Sequence, residues 1–343
     1  MRNSLPRARL VLPCPLLLAF VFAPLIASAS RANADGDKVD RPVATPTSPT
    51  PYVVTFPLLV LDEAGRPAAD VRPEDVSVTD NGAAAAGVDI RRDGRPVSYG
   101  LVIDNSGSVR PVLDAIVRSS EALVRATTPA GETFIMRFVD AKHTGIVEDF
   151  TPSEQDLIDA LSEMYVEGGQ TAVIDAVYDA AKHVAERNAD RTHRRALVLI
   201  TDGEDRSSVH KPAELFELLQ RENVQVFVIG LTGLLDSERT LTHRSSRGRA
   251  TELLESIAAE SGGRAFFPEF GRKSAGELGE AVNQIANDLQ SPYVVTYALP
   301  SEAADGQFHK VQIRVAGGKT KRRVFAAPGY FAPGGAQKQP DKQ

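Results

Sequence analysis

The stretch Tyr99-Gly100-Leu101-Val102-Ile103-Asp104-Asn105-Ser106-Gly107-Ser108 decides the fold. Its first half is an apolar run of strand length. Its second half is a polar loop. An amphipathic period follows at once, with Val109, Val112, Leu113, Ile116 and Val124 on one face of a helix over 109–126. The same alternation continues downstream. Apolar strands are predicted at Thr133–Val139, Ala196–Ile200 and Val224–Ile229, with an edge strand at Gly145–Phe150 and a late one at Arg264–Phe267. Helices are predicted over 154–164 behind an N-cap Ser153, and over 172–187, 212–222, 250–261 and 275–289. Strands buried on both faces and separated by amphipathic helices imply an α/β fold with a doubly wound, mostly parallel sheet. In such sheets ligands sit at the carboxyl ends of the strands, where the strand order reverses.

The loop Asp104–Ser108 lies at such an end. Asp-x-Ser-x-Ser offers one carboxylate and two hydroxyls from a single tight turn, and these hard oxygen ligands suit Mg²⁺. Two further segments are expected on the same edge. Gly168-Gly169-Gln170-Thr171 opens the helix at 172, and Thr201-Asp202-Gly203-Glu204-Asp205 follows the strand 196–200. The bland alternative makes Ser106 and Ser108 helix caps and Asp202 a turn residue.

These three segments together resemble the metal-ion-dependent adhesion site of von Willebrand factor type A domains, a Rossmann-like family. The resemblance spans about 98–290. It implies that Ser106 and Ser108 bind the metal directly, Thr171 directly or through water, and Asp104 and Asp202 mainly through water. Glu204 and Asp205 stand close enough in sequence to tune the charge, or serve only as solvated acids at a helix start. The implied ion is Mg²⁺ or Mn²⁺. Two carboxylates just neutralise it, which leaves it able to accept an Asp or Glu carboxylate from a protein partner.

The flanks carry a second resemblance. Leu61-Asp62-Glu63-Ala64-Gly65-Arg66-Pro67 and Val76-Ser77-Val78-Thr79-Asp80-Asn81-Gly82 precede the α/β region. Tyr293-Val294-Val295-Thr296-Tyr297, Asp305-Gly306-Gln307-Phe308-His309-Lys310 and Pro328-Gly329-Tyr330-Phe331-Ala332-Pro333 follow it. They are similar to the lead-in and closing segments of an exported bacterial group with type A-related domains, except that Val76 stands where the group usually has Phe. Residues 52–97 and 291–333 are therefore expected to be β-rich and to pair into one accessory sheet outside the core at 98–290.

The N-terminus reads differently. Arg2, Arg7 and Arg9 precede an apolar run from Leu10 to Ile26, then Ala27-Ser28-Ala29 and Ala32-Asn33-Ala34. That order predicts a cleaved export signal over 1–34, since Pro13, Pro15 and Pro24 argue against a stable spanning helix. Residues 35–51 read as a flexible linker and 334–343 as a frayed tail. The protein is expected outside the cytoplasm, in the periplasm, on the cell surface or secreted. Involvement with the membrane is expected only through export.

Composition excludes several classes. The formal net charge is -6, and removal of Arg2, Arg7, Arg9 and Arg31 makes the mature chain more acidic, which argues against a nucleic-acid binder. The one Cys excludes a disulfide framework and a four-Cys zinc site. No nucleophile elbow or P-loop appears, and neither catalysis nor a small-molecule substrate is expected. The expected function is metal-dependent adhesion or protein binding. A Mg²⁺-dependent hydrolase using the same carboxylates, and an envelope protein whose metal only stiffens a loop, remain as alternatives. The polar run 236–249, with Arg239, His243, Arg244, Arg247 and Arg249, reads as a solvated loop or a basic contact patch.

Overall fold

The computed structural model describes residues 52–127, 131–235, 245–269, 274–300, 303–316 and 321–334. The export signal and linker expected over 1–51, and the tail beyond Gly334, lie outside the described residues.

The centre is a six-stranded sheet in the order β10-β9-β8-β5-β6-β7. Its strands are β5 (Val97–Asp104), β6 (Gly131–Phe138), β7 (Gly145–Thr151), β8 (Arg194–Thr201), β9 (Val224–Gly230) and β10 (Ala265–Phe266). All pairs are parallel except β6 with the edge strand β7. Every residue of β5, β8 and β9 is buried, because helices cover both faces. The strand period sorts side chains between the two layers. Leu101, Ile103, Val198 and Ile200 pack with α1 (Leu113–Thr127), α2 (Glu154–Ser162) and α6 (Ser274–Gln290). Val102, Leu197, Leu199 and Val228 pack with α3 (Val173–Arg187), α4 (Pro212–Glu222) and α5 (Ser246–Ser261).

Helix boundaries follow local chemistry. The segment after the Asp104 loop enters as a 3-10 turn over Gly107–Val112, and the α-helix starts only at Leu113. Pro111 lacks the N–H that an α-ladder would need there, which is why the helix begins later than its apolar period. Ser153 caps α2 as its hydroxyl accepts the Asp156 amide at 3.3 Å. α5 begins earlier than its apolar period, capped by Ser245 accepting the Gly248 amide at 3.1 Å. Arg247 and Arg249 are therefore helical, not part of a solvated loop; 236–244 lie outside the described residues. α5 ends at Gly262, whose φ of 75° needs a residue without a Cβ penalty.

The flanks build two antiparallel sheets. One has the order β13-β1-β11-β4, from β1 (Tyr52–Leu61), β4 (Ala86–Arg92), β11 (Tyr293–Leu299) and β13 (Arg323–Phe325). The other has the order β14-β12-β2-β3, from β2 (Val76–Asp80), β3 (Ala83–Ala84), β12 (Phe308–Val315) and β14 (Gly329–Phe331). Each sheet mixes strands from both ends of the chain: Phe56 faces Val295, and Val78 faces Ile313. This corrects the expectation of a single accessory sheet. Phe56, Leu58, Val60, Ile90, Val295 and Tyr297 on one sheet meet Val78, Val311 and Tyr330 on the other, so two apolar faces close on one another as a small sandwich.

A buried polar cluster seals that sandwich. The Asp80 carboxylate accepts the Tyr297 hydroxyl at 2.8 Å and the Tyr330 hydroxyl at 3.0 Å, and lies 2.7 Å from His309 Nδ1. Asp80, Tyr297, His309 and Tyr330 are all buried.

Candidate metal-binding site

β5 lies between β6 and β8, so the chain leaves β5 towards one side of the sheet and returns on the other. The crevice of such a switch point opens at the carboxyl ends of β5 and β8. Asp104 ends β5 and Thr201 ends β8, with Asp202 directly after it. The sequence-predicted loops meet there.

Backbone hydrogen bonds tie the three segments. The Glu167 amide donates to Asn105 O at 2.8 Å, joining the loop before Thr171 to the Asp104 loop. The Asn105 side-chain amide donates to Tyr165 O. The amides of Arg206 and Ser207 donate to Thr171 O at 2.8 and 3.2 Å, joining the Thr171 loop to the segment after Asp202.

Within this frame both carboxylates are buried. Asp104 Oδ1 accepts the Ser106 amide at 2.8 Å, and Oδ2 accepts the Thr201 hydroxyl at 2.6 Å. Burial, and then the Asp202 carboxylate beside it, push the Asp104 carboxyl up to about 6. Asp202 Oδ1 accepts the Glu204 amide at 3.0 Å, while Oδ2 is buried with no hydrogen-bond partner. Burial also raises the Asp202 carboxyl, and the Ser108 hydroxyl beside it offsets part of the rise. The Ser106 and Ser108 hydroxyls lie 2.9 Å apart. Ser106 stands at the N-cap of the 3-10 turn but makes no side-chain cap bond, so capping does not account for its hydroxyl.

Glu204 and Asp205 are held elsewhere. Glu204 Oε1 accepts from Arg206 Nη2 at 2.7 Å. Asp205 Oδ1 accepts the amides of Val173 at 2.8 Å and Ile174 at 3.3 Å, and the Ser208 hydroxyl at 2.5 Å. It caps α3 from across the crevice. The residue at the helix's own N-cap, Ala172, has no side-chain oxygen to offer the first amides. Two functional-site residues were not singled out from sequence. Thr201 bridges the site by donating to Asp104 and accepting the Gly203 amide at 3.0 Å. Asp175 anchors the next loop by accepting the amides of Val209 and His210, each at 2.8 Å. A hydroxyl directly before Asp202 was the available signal for Thr201; Asp175 reads as an ordinary first-turn acid.

The profile of the von Willebrand factor type A domain matches residues 100–284. The chain belongs to that family. Type A domains are generally interaction modules, commonly of metal-dependent adhesion. Among solved structures, the chain is similar to the conserved hypothetical protein BatB from Bacteroides thetaiotaomicron, at 18% identity and a TM-score of 0.42, over 55% of this chain and 98% of that one. It is similar to a von Willebrand factor type A protein from Catenulispora acidiphila at 13% identity and a TM-score of 0.44, over 82% of this chain and 75% of that one. Proximal thread matrix protein 1 from the mussel byssus, with a zinc-occupied MIDAS motif, gives 19% identity and a TM-score of 0.45, over 63% of this chain and 50% of that one. No curated protein matches.

The donor set of this type A domain fits a hard divalent cation. Among the described residues no three His, Cys, Asp or Glu side chains cluster for a metal. The crevice instead offers two buried carboxylates and the hydroxyls of Ser106 and Ser108, with Thr171 on the adjoining loop, all oxygen. The unpartnered Asp202 Oδ2 is the clearest sign, because a buried carboxylate oxygen without a donor costs free energy that a cation, directly or through its water, would recover.

Proposed function

We propose that the chain is an exported type A module that holds Mg²⁺ or Mn²⁺ among Asp104, Ser106, Ser108, Thr171 and Asp202 and thereby binds an acidic side chain of a protein partner. The observation that carries this reading is the pair of buried carboxylates, one of them with an orphaned oxygen, beside two adjacent serine hydroxyls. The bound cation supplies a positive, electrophilic point to which an external Asp or Glu can attach. The chain's own residues set that point. Thr201 and the Ser106 amide hold Asp104 at both oxygens, so it acts as a fixed charge at the back of the site. Asp202 keeps one oxygen free. The serines present neutral oxygens, which leaves the total charge at two carboxylates and the cation unsaturated. Asp205 secures the start of α3 next to Thr171 without adding its charge to the crevice.

Among the described residues no helix is long and apolar enough to cross a membrane.

Calorimetry with Mn²⁺ tests the site. Wild type should bind one equivalent, and Asp104→Ala and Asp202→Ala should each weaken binding sharply with an unchanged circular dichroism spectrum. A wild-type protein that binds no divalent cation at millimolar concentration overturns the proposal. Chelator that lowers stability but leaves capture of the partner intact would instead assign the metal a purely stiffening role.

A further inference from the structure

The far end of the same sheet carries a second, oppositely charged feature. Where β8 begins and the accessory sandwich meets the α/β core, a cavity of about 110 Å³ is lined by Arg95, Arg191, Arg194 and Arg195, with Thr55 and Pro57 of β1 closing one side. In an acidic protein this concentration of guanidinium groups needs an account.

Their partners do not balance them. Arg95 is paired with Asp93 at 2.6 Å. Arg195 is paired with Glu222 at 2.7 Å, and Arg191 reaches the same carboxylate only at 3.7 Å. Asp190 is exposed and turned to Thr192, whose hydroxyl it accepts at 3.0 Å. Arg194 is buried and, among the described residues, makes no ion pair; it donates only to the carbonyls of Arg95 at 3.2 Å and Leu289 at 2.5 Å. Burial lowers its guanidinium to about 10, an effect that the nearby Asp93 carboxylate offsets only in part. Arg195, also buried, has its Nε without any hydrogen-bond partner. Four guanidinium groups thus share the carboxylates of Asp93, Asp190 and Glu222, which leaves one positive charge over, and Arg194 sits deep in the protein without a direct ion pair. A buried charge without a counter-ion is unfavourable, and forked guanidinium donors match tetrahedral oxyanions in geometry.

We propose that this cavity binds a small oxyanion of phosphate or sulfate size, which neutralises the surplus positive charge of the arginine cluster and ties the accessory sandwich to the base of the α/β sheet. The site lies at the opposite end of the strands from Asp104 and Asp202, so it is independent of the cation proposed there. An oxyanion at this seam should stabilise the docking of β1 against β8.

The test uses the full mature chain freed of divalent metal, so that no anion can be held by a cation. Inorganic phosphate is titrated by calorimetry at constant ionic strength set with chloride, and thermal unfolding is followed in parallel. Expected are saturable one-site binding and a rising unfolding midpoint, with sulfate competing. Arg191→Gln, at a half-exposed position, should weaken phosphate at least tenfold, which is about 1.4 kcal/mol. Arg118→Gln, on the exposed face of α1, removes the same charge elsewhere and should leave affinity unchanged. Arg194→Met should abolish binding; if it does not fold, Arg191→Gln decides. A phosphate monoester that competes with inorganic phosphate supports the site and assigns it to the phosphoryl end of a larger molecule. Absence of saturable binding at millimolar phosphate, or equal weakening by Arg191→Gln and Arg118→Gln, overturns the proposal.

Discussion

Replacing Asp104 by Asn should make the metal-free protein more stable and the metal-binding protein worse. The carboxyl rises from 3.8 to about 6, first through burial and then through Asp202. The folded protein therefore holds this proton more tightly than the unfolded chain does. Its contribution is fully favourable below the unfolded value and is lost as pH rises towards 6. Each tenfold in proton affinity is worth about 1.4 kcal/mol, so ionised Asp104 costs the fold about 3 kcal/mol at pH 7. Asn keeps the acceptor for the Ser106 amide and removes the charge, while the contact with Thr201 must rearrange at a cost of about 1 kcal/mol. The expected gain is about 2 kcal/mol at pH 7, shrinking to nothing or a slight loss at pH 4. Urea unfolding of both proteins in chelator across that range measures it. Asp288, which burial also raises to about 6, imposes the same trend on both proteins and cancels in the difference. Added Mn²⁺ should reverse the order, because stabilisation by a ligand grows with its concentration over its dissociation constant. If metal-free Asp104→Asn is no more stable than wild type at pH 7, or its advantage persists at pH 4, the burial argument fails.

Three further outcomes are expected. Gly203 has φ of 80°, and a Cβ there would lie 2.7 Å from Leu254 Cδ1, so Gly203→Ala should cost about 1–3 kcal/mol in denaturant unfolding and weaken Mn²⁺ by displacing Asp202. Asp205→Ala uncaps α3 and should cost about 1 kcal/mol, seen as faster hydrogen exchange at the Val173 and Ile174 amides; exchange unchanged at both would show that the cap is dispensable. Deleting 293–343 removes β11 from between β1 and β4 and β12 from between β14 and β2, so limited proteolysis should cut 52–92 while the α/β core persists; unchanged protection there would show that the N-terminal strands stand alone.

The α/β core was legible because its signals are local. A strand buried on both faces is a continuous apolar run, and its helix an apolar stripe, so β5, β8 and β9 could be placed to within a few residues. The crevice was legible for the same reason: Asp104, Ser106 and Ser108 share one turn, and Asp202 follows its strand directly. What the sequence hid were bonds between distant segments. Asp205 looks like an acid at the start of a nearby helix, but the amides it accepts belong to α3, some thirty positions earlier. Thr201 looks like the last residue of a strand, yet its hydroxyl fixes Asp104 across the switch point. Neither pairing has a periodicity to betray it.

The accessory sandwich shows a harder limit. β4, with only Ile90 buried along Ala86–Arg92, and β14, three residues long, carry too little apolar content to read as strands. Their place is set by partners far along the chain: β4 pairs with β11, and β14 with β12. The same distance separates Asp80 from the Tyr297, His309 and Tyr330 side chains that satisfy it. A carboxylate buried at the end of β2 is costly until both ends of the chain have met, since its donors arrive only with β11, β12 and β14. The cluster thus penalises any register in which the flanks pair without one another. It gives a physical reason for building one small sandwich from two termini: the polar seal closes only when the α/β core between them has brought the flanks together.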